Sequence, residues 1–362
     1  MPNVLFIASH RMGRSPSQRF RFEQYFSYLE ENGFSCHLSY LINAREDKIF
    51  YSEGNWLSKA CIILKSFLQR KKEIRSLNQF EIVFVQREAF MLGSVFFEKN
   101  IQKSRAKFIF DFDDSIWLND TSEANKKFEW LKNPSKTAKN ISFADLVFAG
   151  NEYLATYARA INSNVVVMPT TIDTEEYTPN RIEKEGQDKI VIGWIGSITT
   201  IKHFEYALGF LKILKEKYGS RIEFKVVGDP TYTNQSLGIQ GIEWSKEKEV
   251  ELLNEFDIGI MPLPNDEWAN GKCACKGLQY MALEIPTVMS PVGVNSSIIQ
   301  QGENGFLASD DSEWVEVISS LIESPQLRKK VGGNARQTVI EKFSVLSQRE
   351  NYLRYFRQVL SQ

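Results

Sequence analysis

Two lysines and one glutamine in the second half of the chain stand at the spacing of a helical face. Lys272, Lys276 and Gln279 fall at i, i+4 and i+7 within the stretch of residues 270–306. A helix that starts near Asn270 would place unpaired backbone N–H groups and a partial positive charge beside them. The start of a helix next to two lysines favours an anion such as a phosphate. The pattern therefore predicts an anion site here, and the glycine at position 293 lets the backbone come close to the bound group.

Three carboxylates stand together in the first half of the chain. Asp111, Asp113 and Asp114 follow a buried strand, where unpaired carboxylates are costly. One interpretation is a motif that binds Mg²⁺ or Mn²⁺. In another, which we favour, Asp113 or Asp114 binds the hydroxyl groups of a ligand or acts near its reacting centre. In a third, Asp114 caps the loop or forms an ion pair with Arg19 or Arg21.

Cations and a histidine precede these carboxylates in the chain. Arg19 and Arg21 begin the first predicted helix, where the helix dipole disfavours positive charge. They suit a contact to an anionic group, Arg19 more than Arg21. His10 follows the first strand and is a further candidate, although a loop histidine more often has a structural role.

The elements that must position these residues are those of an α/β protein. Apolar strands alternate with amphipathic helices over residues 1–170 and again over residues 189–343. Residues 171–188 carry Pro, Gly and charges without periodicity, which predicts a linker. We predict two Rossmann-like parallel-sheet domains that face each other across a cleft, with ligands at the carboxyl ends of the strands. A last helix over residues 344–362 is apolar enough to cross back to the first domain.

Composition excludes several classes of protein. A chain of 362 residues favours two domains, and a formal net charge of −1 argues against a nucleic-acid partner. The four cysteines have no disulfide or zinc spacing. We see no signal peptide and no apolar run of membrane-spanning length, so we expect a cytoplasmic protein.

One helix combines apolar and basic residues. From Trp56 to Leu77 the pattern predicts an apolar side made of Leu57, Cys61, Leu64 and Leu68. The opposite side would carry Lys59, Ser66, Arg70 and Glu73. Two interpretations stand about equally. The apolar side packs on the sheet of its own domain, or the helix docks peripherally on the anionic inner surface of a membrane.

Six short motifs in the second half resemble glycosyltransferase family 4, whose members have the two-domain GT-B fold. They are Gly193-Trp194-Ile195-Gly196-Ser197, the run from Asp257 to Pro264, Gly271-Lys272-Cys273 with Lys276, Gln279-Tyr280-Met281-Ala282, Pro291-Val292-Gly293-Val294-Asn295 and Gly302-Glu303-Asn304-Gly305-Phe306. Each is weak alone, but they occur in the family's order. The first half resembles the family more loosely, through residues 19–21 and 111–117.

The resemblance implies that the second domain binds a nucleoside diphosphate sugar and the first an acceptor. The implied donor contacts are Gly196, Ser197, Lys202, Gly228, Trp244, Lys272, Lys276, Gln279, Gly293, Val294 and Asn295. The acceptor side would use His10, Arg19, Arg21, Asp111 and Asp113. Lys202 and Lys276 would stabilise the leaving phosphate, while Asp113 and Asp114 would act near the reacting sugar. Since cations can do this work, we expect no metal and no cofactor beyond the sugar nucleotide.

The chain departs from the family at the donor side. The family has Arg where Ser197 stands, and a pair of Glu where Gly271 and Gln279 stand. Gln279 still offers hydrogen bonds to ribose hydroxyls, and Lys276 could replace the missing cation.

The resemblance implies a retaining, metal-independent glycosyltransferase that uses a saccharide or lipid-linked acceptor in cell-surface polysaccharide or lipopolysaccharide assembly. Two alternatives remain: a nucleotide-sugar-binding protein of the same fold without turnover, and a sugar-nucleotide epimerase. An epimerase needs acid and base groups at the anomeric carbon, and the sequence does not show them.

Overall fold

The chain folds into two compact units, each built on a parallel sheet. The computed structural model describes residues 1–52, 54–118, 133, 135–180 and 189–361. The first unit is Met1–Thr170 together with Arg349–Gln362, and the second is Thr171–Gln348. The predicted α/β class with two parallel-sheet units is confirmed.

The first sheet forms because its central strands are short apolar runs that are buried on both faces. Its strands in the described part of the unit are β1 (Asn3–His10), β2 (Ser35–Ile42), β3 (Ile82–Gln86), β4 (Lys107–Phe112), β5 (Leu146–Ala149) and β6 (Val165–Val167). Their order in the sheet is β2-β1-β3-β4-β5-β6, and all pairs are parallel. The order reverses between β1 and β3, which is where ligands bind in open sheets of this kind.

Short helices cover this sheet. They are α1 (Pro16–Arg19), α2 (Phe26–Glu31), α3 (Ala44–Phe50), α4 (Trp56–Glu73), α5 (Phe96–Gln102), α6 (Ser135–Phe143) and α7 (Glu152–Arg159), with 3₁₀ turns at Glu23–Tyr25 and Ile74–Gln79. The sequence pattern predicts one helix over residues 18–32, but the chain forms α1, a 3₁₀ turn and α2 in its place. The pattern also predicts a helix over residues 122–142, part of which lies outside the described residues.

The buried and exposed sides of helix α4 are the reverse of those predicted from its apolar spacing. Leu57, Leu64 and Leu68 are 86%, 59% and 56% exposed, whereas Lys59 and Arg70 are each 2% exposed. Arg70 is held inside by the carbonyl oxygens of Ala8, Ser39 and Ala89 and by the carboxylate of Glu73. Polar groups that find such partners can be buried. The predicted packing side therefore faces solvent, and the predicted polar side faces the sheet.

The last helix, α16 (Val345–Ser361), completes the core of the first unit. The ring of Tyr352 stacks on Tyr25 with centroids 4.2 Å apart. Phe356 is fully buried and its ring lies against those of Phe6, Phe84 and Phe148. Aromatic side chains bury large apolar areas, so this helix is an integral layer of the unit.

The second sheet is also parallel but has fewer strands in the described residues. In the described part of the unit they are β7 (Ile190–Ile195), β8 (Ile222–Val227), β11 (Ile258–Met261), β12 (Thr287–Met289) and β13 (Phe306–Leu307), in the order β13-β12-β11-β7-β8. A small antiparallel pair, β9 (Thr233–Asn234) and β10 (Ile239–Gln240), stands apart. The order of the large sheet reverses between β7 and β11, so the ligand edge of this unit lies at the carboxyl ends of those two strands.

Helices pack on both faces of the second sheet. They are α8 (Ile201–Phe204), α9 (Leu208–Tyr218), α10 (Lys246–Asn254), α11 (Glu267–Asn270), α12 (Cys275–Ala282), α13 (Asn295–Ile298), α14 (Asp311–Glu323) and α15 (Pro325–Thr338), with a π turn at Val339–Phe343 and 3₁₀ turns at Ile198–Thr200, Glu205–Ala207, Gly219–Arg221 and Gln235–Leu237. No helix within the described ranges is both long and apolar enough to span a membrane.

The first ten residues of the predicted linker are part of the second unit. Ile172 pairs with Ser344, and Tyr177 is fully buried. Arg336 on α15 donates to the carbonyl oxygens of Thr174, Tyr177 and Ala282. These contacts fix residues 171–178 on the end of α12, which a pattern of charged residues without periodicity could not indicate. Residues 181–188 lie outside the described residues.

Replacing Phe356 by Ala should destabilise the first unit. The free energy of unfolding should fall by about 3–5 kcal/mol, because a fully buried phenyl ring is removed from an aromatic cluster. Urea unfolding followed by circular dichroism measures the change. The exposed neighbour Arg357 provides the control, since Arg357→Ala should leave the transition within about 0.5 kcal/mol. Equal stability of the two variants would contradict the assignment of α16 to this core.

Candidate functional site

The turns after β7 and β8 meet at the ligand edge of the second unit. The N–H of Gly196 donates to the carbonyl oxygen of Val227 (2.9 Å). Gly228 has φ +135°, and a Cβ there would lie 1.9 Å from the carbonyl oxygen of Gly196. Only glycine fits at position 228. Both predicted glycines thus shape the edge, and their backbones are where a ligand would approach.

Helix α12 starts later than predicted. It begins at Cys275, after Ala274 in a left-handed conformation (φ +55°), and not at Asn270 or Gly271. Lys272 therefore precedes the helix, and its ammonium lies 5.4 Å from the centroid of the Trp268 ring. Lys276 is in the first turn of α12, half-buried, 5.4 Å from the centroid of the Trp194 ring. The predicted common face of Lys272, Lys276 and Gln279 is wrong, because the left-handed residue interrupts the helix between the first two.

Tyr280 fixes α12 over the point where the strand order reverses. Its buried hydroxyl accepts a hydrogen bond from the N–H of Ile195 at the end of β7 (2.9 Å). Its ring lies against Gly259 on β11, where a Cβ would come within 2.5 Å of the ring. One side chain thus ties the helix to both strands that flank the ligand edge. Burial raises the pKa of the Tyr280 hydroxyl above its usual range, so the group stays protonated.

Gln279 lies inside the unit and not on an exposed face as predicted. It is 3% exposed, and its amide nitrogen donates to the hydroxyl of Tyr177 (3.1 Å). Tyr177 donates to one oxygen of Glu249 (2.5 Å), and the indole N–H of Trp244 donates to the other (2.8 Å). Trp244 was predicted to contact the donor, and the structure shows its indole nitrogen in this buried network. Sequence analysis missed Tyr177 and Glu249, since one stands in the predicted linker and the other on an ordinary amphipathic helix.

Ser197 and Lys202 stand on the exposed turn after β7. Ser197 precedes the 3₁₀ turn Ile198–Thr200, and its N–H donates to the hydroxyl of Thr200 (2.9 Å). Lys202 is exposed on the short helix α8. Both residues are thus at the predicted edge of the sheet.

The turn after β12 brings Gly293, Val294 and Asn295 to the same edge. Gly293 has φ +55°, and a Cβ there would lie 2.7 Å from the carbonyl oxygen of Asn270. Asn295 is fully buried and donates to the carbonyl oxygen of Ser290 (3.0 Å), so its amide nitrogen supports the turn. Val294 is half-buried at the start of α13. Backbone approach at Gly293 is the feature of this turn that suits a ligand.

In the first unit, Arg21 and Asp111 form a buried ion pair. Their side chains are each 1% exposed, and Arg21 reaches Asp111 with both Nε and Nη2. Arg21 also donates to the carbonyl oxygen of Met168. The predicted acceptor contacts of these two residues are wrong, because neither side chain reaches solvent. The pair ties the turn after α1 to the end of β4.

Asp113 and Asp114 both bind Arg87, a residue that sequence analysis missed. Arg87 Nε lies 2.7 Å from Asp113, and Nη2 lies 2.5 Å from Asp114. The predicted pairing of Asp114 with Arg19 or Arg21 stays a prediction. Arg87 follows β3 in a left-handed conformation (φ +62°), which is rare for a residue with a side chain. Such strain at the end of a strand beside the reversal of strand order marks a functional candidate.

His10 ends β1 within a charged cluster. Its Nε2 lies 3.1 Å from the hydroxyl of Tyr51, and its buried Nδ1 has no hydrogen-bond partner in the described structure. Nearby, Arg11 and Arg14 share one oxygen of Asp47 (3.1 and 2.5 Å). Burial, assisted by the arginines and opposed by Asp47, lowers the pKa of His10 to about 4. The imidazole is therefore neutral at pH 7. The basic residues that follow the first strand can be recognised in the sequence. Their partner Asp47 on α3 cannot.

Arg19 is also buried, 6% exposed, and its guanidinium lies 4.8 Å from the centroid of the Phe20 ring. An external anion therefore has little access to the guanidinium of Arg19, although the sequence led us to expect such a contact. Within the described ranges, no group of three or more His, Cys, Asp or Glu has the arrangement of a metal site.

Residues 189–324 match the family model for glycosyl transferases group 1. The match begins at the start of β7 and includes both strands of the ligand edge, α12 and the turn at Gly293. The prediction of two Rossmann-like units is confirmed, whereas glycosyltransferase activity and membership of family 4 stay predictions.

The chain is similar in sequence to one curated relative and similar in fold to two solved structures. The capsular polysaccharide biosynthesis glycosyltransferase CapM of Staphylococcus aureus is 25% identical over a stretch that covers 43% of this chain and 43% of CapM. A crystal structure of a glycosyltransferase from Rickettsia africae has a TM-score of 0.67 at 16% identity, covering 99% of this chain and 98% of that one. HepE of Anabaena in complex with UDP-glucose has a TM-score of 0.65 at 13% identity and covers 98% and 99%. The two structures share the fold over nearly the whole chain.

Acid should destabilise the protein through His10. Unfolded histidine titrates near pH 6.5, while the folded pKa is about 4, so protons bind the unfolded chain first as the pH falls through this window. Stability present above pH 6.5 is lost between pH 6.5 and 4, by up to about 3 kcal/mol. Urea unfolding of the wild type and of His10→Gln across this range measures the difference. Parallel pH profiles for the two proteins would contradict it.

Proposed function

We propose that the chain is a retaining, metal-independent glycosyltransferase that moves a sugar from a nucleoside diphosphate sugar to a saccharide or lipid-linked acceptor. The observation that carries the proposal is the position of Lys276. It stands in the first turn of α12, which Tyr280 holds over the ligand edge of a glycosyl transferase group 1 domain. A fixed cation at that edge suits a diphosphate.

The chemistry requires stabilisation of a leaving group. As the bond from the anomeric carbon to the diphosphate breaks, negative charge develops on the phosphate oxygens. Preorganised cations and backbone N–H groups lower the barrier most when they are already in place. Lys276, Lys202 and the backbone at Gly196 and Gly293 would supply them, which leaves no step that needs a metal ion. Retention of configuration is proposed from the resemblance to family 4.

The first unit would bind the acceptor. Arg87 holds Asp113 and Asp114 at the carboxyl ends of the strands beside the reversal of strand order, with His10 neutral at the end of β1. Carboxylates fixed in this way can accept hydrogen bonds from sugar hydroxyls. We place the reaction in the assembly of a cell-surface polysaccharide or lipopolysaccharide in the cytoplasm. The similarity to CapM supports the polysaccharide part of that proposal.

A nucleoside diphosphate should stabilise the protein, and Lys276→Ala should weaken its binding. A thermal-shift screen with UDP, GDP, ADP and CMP identifies the nucleotide, and calorimetry then measures its affinity. Loss of one charge-assisted contact should weaken binding about tenfold or more. The control is Lys212→Ala, an exposed lysine on α9.

Two outcomes decide between the candidate functions. No stabilisation by any nucleotide at millimolar concentration would overturn the proposal. Binding of a nucleotide sugar without transfer to any cell-envelope extract would favour the alternative of a binding protein without turnover.

We also propose that α4 docks on an anionic membrane surface. Leu57, Leu64 and Leu68 form an exposed apolar stripe along the helix, and this is the side that the sheet leaves uncovered. Exposed Lys71, Lys72 and Arg75 lie at its C-terminal end and on the turn that follows. An apolar stripe with basic neighbours suits the boundary between lipid headgroups and acyl chains. This docking would bring the protein to a lipid-linked acceptor.

Replacing Leu57, Leu64 and Leu68 by Glu should abolish binding to vesicles. The wild type should cosediment with phosphatidylglycerol vesicles and less with phosphatidylcholine, and the triple variant should lose about tenfold or more in partition. Stability should be unchanged, because these side chains already face water. Ile213→Glu, at an exposed apolar position on α9, is the control. Equal partition of the wild type and the triple variant would contradict the docking.

A further inference from the structure

The loop between β1 and α1 is held in one shape by its neighbours. The side-chain amide of Gln18 accepts from the N–H of His10 (2.9 Å) and donates to the carbonyl oxygen of the same residue (2.8 Å). The N–H of Gly13, which has φ +77°, donates to the carboxylate of Glu23 (2.8 Å). Gln18 is 1% exposed, so water does not compete for its hydrogen bonds. The loop is therefore preorganised at the carboxyl end of β1, beside the reversal of strand order.

This loop presents two guanidinium groups that share one carboxylate oxygen. Arg11 and Arg14 both donate to Oδ2 of Asp47, at 3.1 and 2.5 Å. Because two positive charges meet one negative charge, the cluster keeps an excess of positive charge. The side chains of the two arginines are 35% and 37% exposed, whereas that of Asp47 is 9% exposed. A ligand at this edge can therefore reach the arginines, while the carboxylate serves to hold them.

Most of the hydrogen-bonding capacity of these arginines is unused. In the described part of the chain, Asp47 is the acceptor for the side-chain hydrogen bonds of both Arg11 and Arg14. Each guanidinium has several further N–H donors in a planar fork, which matches the geometry of phosphate oxygens. A phosphoryl group has three strong acceptor oxygens and can contact both forks at once, whereas a carboxylate pairs with one fork.

We propose that Arg11 and Arg14 bind a phosphoryl group carried by the acceptor. The inference rests on the proposed function and narrows it, because the acceptor would be a phosphate or diphosphate ester and not a neutral saccharide. Arg87, with the two carboxylates that it holds, is near enough to help lower the pKa of His10. The carboxylates that would accept from sugar hydroxyls therefore lie near the phosphoryl subsite.

The three histidines of the chain can report where a phosphoryl compound binds. His10 lies beside the two arginines, and His203 follows Lys202 at the donor edge. His37 on β2 is the reference. The imidazole signals are followed by NMR at pH 7 while glucose 6-phosphate, geranyl diphosphate, glucuronate or glucose is added. Both phosphoryl compounds should shift the His10 signal, and glucuronate and glucose should bind about tenfold or more weakly.

The two phosphoryl compounds also distinguish the source of the group. Tighter binding of glucose 6-phosphate would support the proposal with a free sugar phosphate as the acceptor. Tighter binding of geranyl diphosphate would support it with a lipid-linked acceptor.

Removal of both arginines together with their carboxylate tests the subsite. Arg11→Gln/Arg14→Gln/Asp47→Asn leaves no unpaired charge of this cluster inside the unit, so the variant should fold. Its affinity for both phosphoryl compounds should fall about tenfold or more, while its nucleotide affinity should stay unchanged. The matched control is Arg45→Gln, which changes the net charge by the same amount at an exposed position of α3. It should bind the compounds as the wild type does.

The outcomes separate this inference from the proposed function. No shift at His10, or a shift at His203 alone, would overturn the inference. Equal binding of glucuronate and glucose 6-phosphate, or wild-type affinity in the triple variant, would overturn it as well. Failure of every nucleotide to bind would overturn the proposed function, whatever the His10 signal shows.

Discussion

The hydrogen bond from the N–H of Ile195 to the hydroxyl of Tyr280 is the contact on which the second unit's edge depends. It joins α12 to the last residue of β7, while the ring of Tyr280 packs against Gly259 on β11. A helix placed by two neighbouring strands cannot slide along the sheet. Lys276 lies one turn before Tyr280, and Gln279 lies one residue before it. Both are therefore held in fixed positions. Because the hydroxyl is buried, its hydrogen bond is also shielded from water.

Different kinds of interaction order the ligand edges of the two units. In the second, neutral groups order the edge, namely the hydroxyl of Tyr280, the side-chain amide of Asn295 and backbone N–H groups. In the first, ion pairs order it: the fully buried pair of Arg21 with Asp111, and the partly buried pairs of Arg87 with Asp113 and Asp114. Burying an ion pair costs free energy unless the geometry of the pair is good. Removal of one partner destabilises the protein because the other charge is then buried without compensation. The first unit's edge is therefore less tolerant of single substitutions at its charged residues.

Sequence patterns predicted what depends on local spacing. The alternation of apolar strands and helices gave the class, and the glycines at 196, 228 and 293 were placed correctly at the carboxyl edge. Partners from distant parts of the chain could not be predicted. Tyr177 is buried although its stretch of sequence looks like a linker. Arg87 binds both Asp113 and Asp114, and the sequence did not indicate it as their partner. The prediction for helix α4 failed because Arg70 donates to five oxygen atoms inside the unit, so this side of the helix faces the sheet and the leucines face solvent.

The place of α16 in the first unit bears on how the protein is made. The aromatic core around Phe6 and Phe84, laid down by the first 90 residues, is closed by Tyr352 and Phe356 near the end of the chain. Domains generally fold in order as they leave the ribosome. Here the earliest segment cannot bury its aromatic surface until the last helix has been synthesised. The nascent first unit therefore exposes apolar surface until α16 has been synthesised.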